Sequence, residues 1–143
     1  IKYEDSDGYR YEKEYNKSGL KIRFKHSKKY WCIIEYNKNC RETSFEDCNG
    51  YWRRTEYNKY NREIEFEDSN KNWRKTRYNK DGLETSYEDS DKYWRVRKYN
   101  NAGLEIRFED SDKRWYKQEY DKDNLEIKYE GSDGKRKIKL IIE

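Results

Sequence analysis

The residue best suited to acid–base or nucleophilic catalysis is the single histidine, His26. It stands where other copies of the repeat described below have an aspartate, as at Asp47 and Asp68. No Ser-His-Asp or Cys-His set can be assembled around it. The many carboxylates recur with the repeat, whereas a general acid and base form a unique pair. With no glycine-rich phosphate loop or metal-ligand spacing either, we expect a protein that is not an enzyme and has no cofactor.

Acidic turns are a second candidate for chemistry, because their oxygen atoms could bind Ca²⁺. No glutamate stands at the fixed loop distance of a bidentate ligand, and Lys71, Lys92 and Lys113 lie inside the same turns. The favoured alternative is turn chemistry, in which Asp and Ser side chains bond nearby backbone amides. The carboxylates that a calcium site would use are Asp5, Asp7, Asp89, Asp91, Asp110 and Asp112.

A series of tryptophans is the most suggestive feature for binding. Indoles at repeat spacing, flanked by arginine, can stack on bases or enclose a cationic ligand. The alternative is that they pack one repeat on the next, with arginine lying over indole. The candidate binding surface consists of Trp31, Trp52, Trp73, Trp94 and Trp115 with Arg53, Arg74 and Arg95.

A 21-residue repeat supplies the elements that must position these residues. Besides tryptophan, two aromatic series keep this period. Each unit holds two six-residue stretches that are too short and too alternating for helices. The series are Tyr3, Phe24, Phe45, Phe66, Tyr87, Phe108 and Tyr129, and Tyr15, Tyr36, Tyr57, Tyr78, Tyr99 and Tyr120.

The repeat predicts an all-β fold, an antiparallel meander of tandem 21-residue β-hairpins forming an elongated or coiled single-sheet solenoid. Residues 1–143 would be one repeat array. Within it we expect a partial repeat at 1–9, six repeats over 10–135 and a capping strand at 136–143.

The turns of the predicted hairpins follow two patterns. In the N-K-x-G pattern the fourth residue is Gly or Asn in five of six copies, and these residues tolerate the left-handed conformation that hairpin loops need. Cys40 is the exception, so we expect strain there. The second pattern is E-D-S-D-G or E-D-S-D-K.

Side-chain alternation predicts two different faces. With a four-residue turn, Tyr78 would lie opposite Leu83 and Arg74 opposite Tyr87, and Glu84 would lie on the reverse, charged face. An odd repeat reverses the faces at every unit unless a bulge or an odd loop restores them. The stretch Asp-Lys-Tyr-Trp is the favoured place for it. Whether tryptophan joins the aromatic or the charged face stays open.

The three cysteines, Cys32, Cys40 and Cys48, lie eight residues apart. Their odd number and the missing metal spacing favour free thiols.

The stretches E-Y-N-K-S-G-L (14–20), R-Y-N-K-D-G-L (77–83) and K-Y-N-N-A-G-L (98–104) resemble the tyrosine-aspartate (YD) repeats of the RHS and teneurin group. The chain departs from that pattern in having Asn where the family has Asp, except at Asp121. The E-D-S-D-G-Y-W element resembles repeats of uncharacterised phage and low-GC bacterial proteins. The resemblance implies β-hairpin arrays that wrap into shells or present binding surfaces, with no catalytic residues.

Composition limits the functions that remain. Charged residues make up 45% of the chain, yet the net charge is only +4, which is too small and too mixed for a nucleic-acid footprint. No apolar stretch is long enough to cross a bilayer. The chain begins at Ile1 without a Met and looks trimmed or processed, so the missing signal pattern decides nothing.

We therefore expect a non-enzymatic scaffold that binds a protein partner through its sheet. The alternatives are a structural spacer, a filament or surface-array subunit joined by edge strands, and a module whose tryptophans bind glycan, choline-like groups or single-stranded nucleic acid. The expected location is outside the cell or at its surface, or the host cytoplasm for a phage-encoded chain.

Overall fold

A computed structural model describes residues 1–6, 8–27, 29–134 and the backbone of 136–138. The predicted capping strand at 136–143 thus lies partly outside the described residues. Fourteen strands and no helix are present in the described ranges, so no helix there could span a membrane. The strands are β1 (Lys2–Glu4), β2 (Arg10–Tyr15), β3 (Lys21–His26), β4 (Trp31–Tyr36), β5 (Glu42–Asp47), β6 (Trp52–Tyr57), β7 (Glu63–Asp68), β8 (Trp73–Tyr78), β9 (Glu84–Asp89), β10 (Trp94–Tyr99), β11 (Glu105–Asp110), β12 (Trp115–Tyr120), β13 (Glu126–Gly131) and β14 (Arg136–Ile138).

The strands divide between two compact units, Ile1–Trp73 and Arg74–Glu143. In the first unit β1 to β7 pair consecutively and antiparallel. In the second unit β8 to β14 do the same. The predicted all-β meander of 21-residue hairpins is confirmed. The predicted division into partial, complete and capping repeats stays a prediction.

Two sequence patterns build one type of turn. In the first, an asparagine begins the turn: Asn37 Oδ1 accepts hydrogen bonds from the amides of Asn39 and Arg41 at 2.9 and 3.1 Å. In the second, an aspartate does the same: Asp47 Oδ1 accepts from the amides of Asn49 and Tyr51. Asn and Asp are needed because each carries a short acceptor that reaches the backbone two and four residues on. We call these the Asn turns and the Asp turns.

The fourth residue of each turn adopts the left-handed conformation. The prediction is confirmed in the Asn turns, where φ is 76° at Gly19, 61° at Cys40 and 62° at Asn61. The Asp turns need the same conformation. In several Asp turns a lysine adopts it, as Lys71 does with a φ of 68°. Because a Cβ atom is disfavoured in this region, these positions are strained.

Replacing Cys40 by glycine should raise the free energy of unfolding by about 0.5–1 kcal/mol, because glycine adopts a positive φ without a Cβ penalty. Urea unfolding would measure the gain. Cys40→Ser keeps the Cβ atom and should gain nothing, so equal stabilisation by serine and glycine would contradict the explanation.

A β-bulge in every Asn-turn hairpin keeps each aromatic series on one face of the sheet, although the repeat has an odd number of residues. In β4 and β5, Glu35 lies opposite Ser44 whereas Tyr36 lies opposite Glu42, which leaves Thr43 as the extra residue. The same shift recurs in the other Asn-turn hairpins. Our placement of the parity break around Asp-Lys-Tyr-Trp was therefore wrong, since the strands on either side of the Asp turns pair without a shift.

The bulge also corrects the predicted register. Tyr78 lies opposite Glu84 rather than Leu83, and Arg74 lies opposite Asp89 rather than Tyr87. The prediction assumed an unbroken ladder up to the turn. The extra residue moves each partner by one or two positions and brings Glu84 to the face of Tyr87, away from the charged face.

Packing is one-sided and shallow. Only Cys32, Ile34, Asp68 and Asp110 are buried among the described side chains. Along the strands, half-buried residues alternate with exposed ones. Each unit is a single layer, so its more apolar face is covered only by its own side chains.

Candidate functional site

The half-buried face carries the Phe and Tyr series, and we call it the aromatic face. Tyr87 lies opposite Arg95 across the β9–β10 pair, and Phe108 lies opposite Tyr116 across β11–β12. The equivalent pair in the first unit is Phe45 and Arg53. Aromatic rings thus alternate with arginine or a second aromatic ring along a row that runs across the strands.

Rings on this face pack in series within each unit. In the second unit the ring centroids of Phe108 and Tyr116 are 5.4 Å apart, and those of Tyr116 and Tyr129 are 5.8 Å apart. In the first unit Tyr3 and Tyr11 stack at 5.0 Å. Such pairs stabilise a sheet that has no second layer to pack against.

Arginines of this row are held by glutamates of the preceding repeat. Arg95 Nε and Nη2 donate to the two carboxylate oxygens of Glu84 at 2.6 and 2.8 Å, while its guanidinium lies 4.6 Å from the centroid of the Tyr87 ring. Arg53 repeats this arrangement with Glu42 and Phe45. The hydrogen bonds from the guanidinium to Glu84 raise the pKa of Arg95 above its ordinary value, so this cation is permanent.

Glu105 holds a tyrosine where Glu84 holds an arginine. The Tyr116 hydroxyl donates a short hydrogen bond to the Glu105 carboxylate. Burial, and next this hydrogen bond, raise the pKa of Tyr116, so the phenol stays protonated. Arg97 lies between the two glutamates, at 3.8 Å from Glu84 and 3.5 Å from Glu105. One of its nitrogens, Nε, is buried without a hydrogen-bond partner among the described residues.

The Tyr15-to-Tyr120 series ties each repeat to the one before it. The Tyr99 hydroxyl donates to the backbone carbonyl of Glu84 at 2.8 Å, and Tyr57 donates likewise to Glu42 at 3.0 Å. The acceptor belongs to the bulged segment, whose carbonyl needs a partner outside the regular ladder. The recurrent tyrosine of the Y-N-K pattern therefore satisfies the bulge.

A shallow groove of about 390 Å³ opens on the aromatic face of the second unit. Its lining combines cationic and aromatic side chains. Residues that line it include Arg95, Arg97, Phe108, Tyr116 and Tyr129.

The tryptophans lie on the opposite face, which we call the tryptophan face. Trp52 lies opposite Glu46 and Trp94 opposite Glu88. Because successive tryptophans of one unit occupy every second strand, they lie roughly 10 Å apart, too far for their rings to stack on each other. Trp94 is 39% exposed and Trp115 is 36% exposed.

The predicted surface of tryptophans and arginines is therefore split between two faces. Arg53, Arg74 and Arg95 lie at equivalent register positions, opposite Asp68, Asp89 and Asp110 on the aromatic face. Arg54, rather than Arg53, places its guanidinium over the Trp52 indole, 5.1 Å from the ring centroid. The role of the tryptophans in binding stays a prediction.

The candidate calcium ligands serve the turns. Asp89 Oδ1 accepts from the amides of Asp91 and Tyr93, and Asp5 Oδ1 accepts from the amide of Tyr9. Asp7 lies outside the described residues. Across the described ranges no group of three or more His, Cys, Asp and Glu is arranged to hold a metal ion, so the calcium role stays a prediction without a ligand cluster.

Asp110 is the most buried of these carboxylates, at 2% exposure. Its Oδ1 accepts from the amides of Asp112 and Arg114, each at 3.0 Å, and its Oδ2 from Arg114 Nε at 2.7 Å. Burial opposes ionisation of Asp110, yet the hydrogen bonds from Arg114 and the amides outweigh it and lower the pKa. The carboxylate is a structural anchor of its turn.

Cys32 is buried on the aromatic face, Cys40 is exposed in its turn and Cys48 is half-buried, and none is in a disulfide. Burial raises the pKa of the Cys32 thiol.

Sequence reasoning missed the glutamates that hold the aromatic face, Glu42, Glu84 and Glu105. Glu84 was assigned to the charged face, and the other two were not singled out. A glutamate two residues after the fourth residue of five of the six Asn turns was a signal. In three of these repeats it contacts an arginine or a tyrosine eleven residues later.

No protein-family model and no curated protein sequence matches the chain. Among solved structures it is similar to the crystal structure of TcdB2-TccC3, with a TM-score of 0.53 and 11% identity over 86% of this chain and 8% of that one. The TcdB2-TccC3-TEV structure gives 0.50 and 11% over 90% of this chain and 7% of that one. The Tc holotoxin pore of Photorhabdus luminescens gives 0.50 and 10% over 87% and 7%.

At such identity the likeness shows the fold alone, and the chain spans less than a tenth of the length of those chains. The tandem hairpin fold that the YD resemblance implied is therefore found in known structures. The resemblance to phage and low-GC bacterial repeats stays a prediction.

Proposed function

We propose that the chain is a non-enzymatic β-hairpin repeat scaffold that binds a protein partner through the aromatic face. One observation carries this proposal: each unit presents a row of Tyr, Phe and Arg side chains that only their own neighbours cover. Tyr, Phe and Arg are enriched where proteins bind proteins. The similar structures, TcdB2-TccC3 and a Tc holotoxin, are multiprotein assemblies, which supports a scaffold that works with partners.

Preorganisation strengthens this interpretation. Glu84 fixes Arg95, and Glu105 fixes Tyr116, before any partner arrives. Side chains already held in one geometry lose little conformational entropy on binding, so more of the contact energy becomes affinity. A partner that carries apolar and carbonyl groups in an extended backbone would suit the shallow groove of the second unit.

Photo-crosslinking from two adjacent residues tests which face of the sheet binds the partner. Gln118 lies on the aromatic face and Lys117 on the tryptophan face of the same strand. With a photoreactive amino acid at either position, we expect one stoichiometric partner from cells of the source to crosslink from position 118 and not from 117. The crosslinked peptide of the partner is then identified by mass spectrometry.

Two outcomes would overturn the proposal. The first is crosslinking from position 117 alone, and the second is no stoichiometric crosslink from either position although both variants melt cooperatively. As an independent check, the captured partner should lose affinity for Arg97→Ala and keep it for Lys98→Ala, since these neighbours point to opposite faces.

A further inference from the structure

The tryptophan face of the first unit is acidic across β4 to β7. Its outward charges there are five glutamates and one arginine, although the whole chain carries a net charge of +4. We call this surface the acidic patch. Its members are Trp31, Ile33, Glu35, Ser44, Glu46, Trp52, Arg54, Glu56, Glu65 and Glu67.

The same face of the second unit is basic across β8 to β11. Two repeats further along the chain, Glu35, Glu56 and Glu65 are replaced by Arg77, Lys98 and Arg107 at equivalent positions. We call this surface the basic patch. Its members are Lys75, Arg77, Ser86, Glu88, Trp94, Val96, Lys98, Arg107 and Glu109.

Three charges of the two patches make no ion pair within the part of the chain that the structure describes. Glu56, Arg77 and Lys98 are exposed, and none of them makes an ion pair with a described residue. Apolar surface accompanies them, since Ile33 and Val96 are each 41% exposed. Like charges lie directly opposite each other here, Glu56 opposite Glu65 and Lys98 opposite Arg107, and such pairs destabilise a sheet.

We propose that the acidic patch of one copy binds the basic patch of a second copy of this chain. Sign reversal at three equivalent positions gives the two surfaces opposite net charge on the same backbone, although Glu46 and Glu67 correspond to Glu88 and Glu109. Complementary potentials steer encounter and fix the partner, while like-charged surfaces repel.

The molecule already shows the chemistry of this contact. The Arg54 guanidinium lies over the Trp52 indole and 3.8 Å from the carboxylate of Glu67. An indole beside a carboxylate thus accepts a guanidinium on this face. Arg77 and Lys98 of a second copy supply further cations of this kind to the indoles and glutamates of the acidic patch.

Charge reversal with complementation tests the proposal. One full-length variant carries Glu35→Lys and Glu56→Lys, and the other carries Arg77→Glu and Lys98→Glu. Sedimentation should show that the unmodified chain associates and that raising salt from about 50 to about 500 mM weakens the association. Each variant alone should associate about tenfold or more weakly. An equimolar mixture of the two should recover association, because each variant then meets its complement.

A matched control separates the effect of the basic patch from the effect of the net charge. Lys17→Glu with Lys122→Glu changes two exposed turn lysines and lowers the formal net charge of +4 to zero, as Arg77→Glu with Lys98→Glu does. This control should associate like the unmodified chain. Circular dichroism melts establish that the three variants and the unmodified chain are folded.

The proposal is overturned by an unmodified chain that sediments as a monomer at about 100 µM in about 50 mM salt. It is equally overturned by variants that associate undiminished, or by a mixture that fails to recover. A monomer that instead binds oligolysine on the acidic patch would identify a foreign basic peptide as the occupant and would also overturn it. Since the aromatic face takes no part, failure here leaves the crosslinking result from position 118 untouched.

Discussion

Replacing Asp110 by alanine is expected to lower the free energy of unfolding by about 2–4 kcal/mol at neutral pH, the largest effect of any single substitution proposed for this chain. The change removes the acceptor of two backbone amides and of the Arg114 guanidinium from a site that is 2% exposed. Alanine leaves three donors without this acceptor at once, although the Arg114 side chain itself is 60% exposed and can be solvated. Urea unfolding measures the loss.

An asparagine variant separates the contribution of the amide hydrogen bonds from that of the ion pair with Arg114. Asp110→Asn keeps Oδ1 for the amides of Asp112 and Arg114 and loses the charge that pairs with the guanidinium, so it should cost about half as much as alanine. Asp91→Ala, in the exposed part of an equivalent turn, should be nearly neutral. If Asp91→Ala and Asp110→Ala are equally harmful, the anchoring role of Asp110 is refuted.

Acid should abolish the stabilisation that the ionised Asp110 carboxylate provides. The pKa of Asp110 is lowered, and so is that of Asp68, chiefly by the hydrogen bond from the Asn72 side chain. A carboxyl whose folded pKa lies below its unfolded value of about 3.9 stabilises the fold above that pH and loses this effect as the pH falls through the folded pKa. Stability measured between pH 6 and pH 2 should therefore fall below about pH 4, and less steeply in Asp110→Ala.

The second large effect is expected at Glu84. Alanine there should cost about 2–3 kcal/mol, because the bidentate partner of Arg95 disappears while the guanidinium stays half-buried over Tyr87. A double-mutant cycle of Glu84→Ala with Arg95→Ala should give a coupling energy of about 1–2 kcal/mol, since the two side chains are only 21% and 28% exposed.

The exposed pair Lys128 and Glu119 is the matched comparison. Its nitrogen–oxygen distance of 2.7 Å is close to the 2.6 Å of Arg95 and Glu84, but its side chains are 48% and 59% exposed. Solvent screens such a pair, so its coupling should fall within the error of measurement. Equal coupling in the two cycles would mean that burial on the aromatic face does not strengthen the arginine ladder.

Strands and turns could be predicted because their signals are local. Alternation sets the strands. The Asn or Asp that begins most turns, and the Gly or Asn at the fourth position of most Asn turns, act within five residues. The bulge was not predicted in the same way, because it shows only in how two strands pair: Glu35 lies opposite Ser44, whereas Tyr36 lies opposite Glu42. That pairing joins residues of different strands, which alternation along one strand does not reveal.

The same limit explains the misplaced arginines. Arg53 and Arg95 were grouped with Trp52 and Trp94 because they are neighbours along the chain. Neighbours in a strand point to opposite faces, so the partner of each tryptophan had to come from the next strand or from two residues away. Arg54, two residues from Trp52, is that partner, and its spacing was visible in the sequence.

The bulge also sets the length by which such a chain can grow or shrink. Deleting one strand with its turn, ten or eleven residues, reverses the direction of every strand that follows. Removing two strands without a bulge would exchange the faces from that point on. Gene duplication, recombination or slippage can therefore add or lose this array only in steps of 21 residues, and an engineered deletion of 52–72 should fold where a deletion of 52–62 should not.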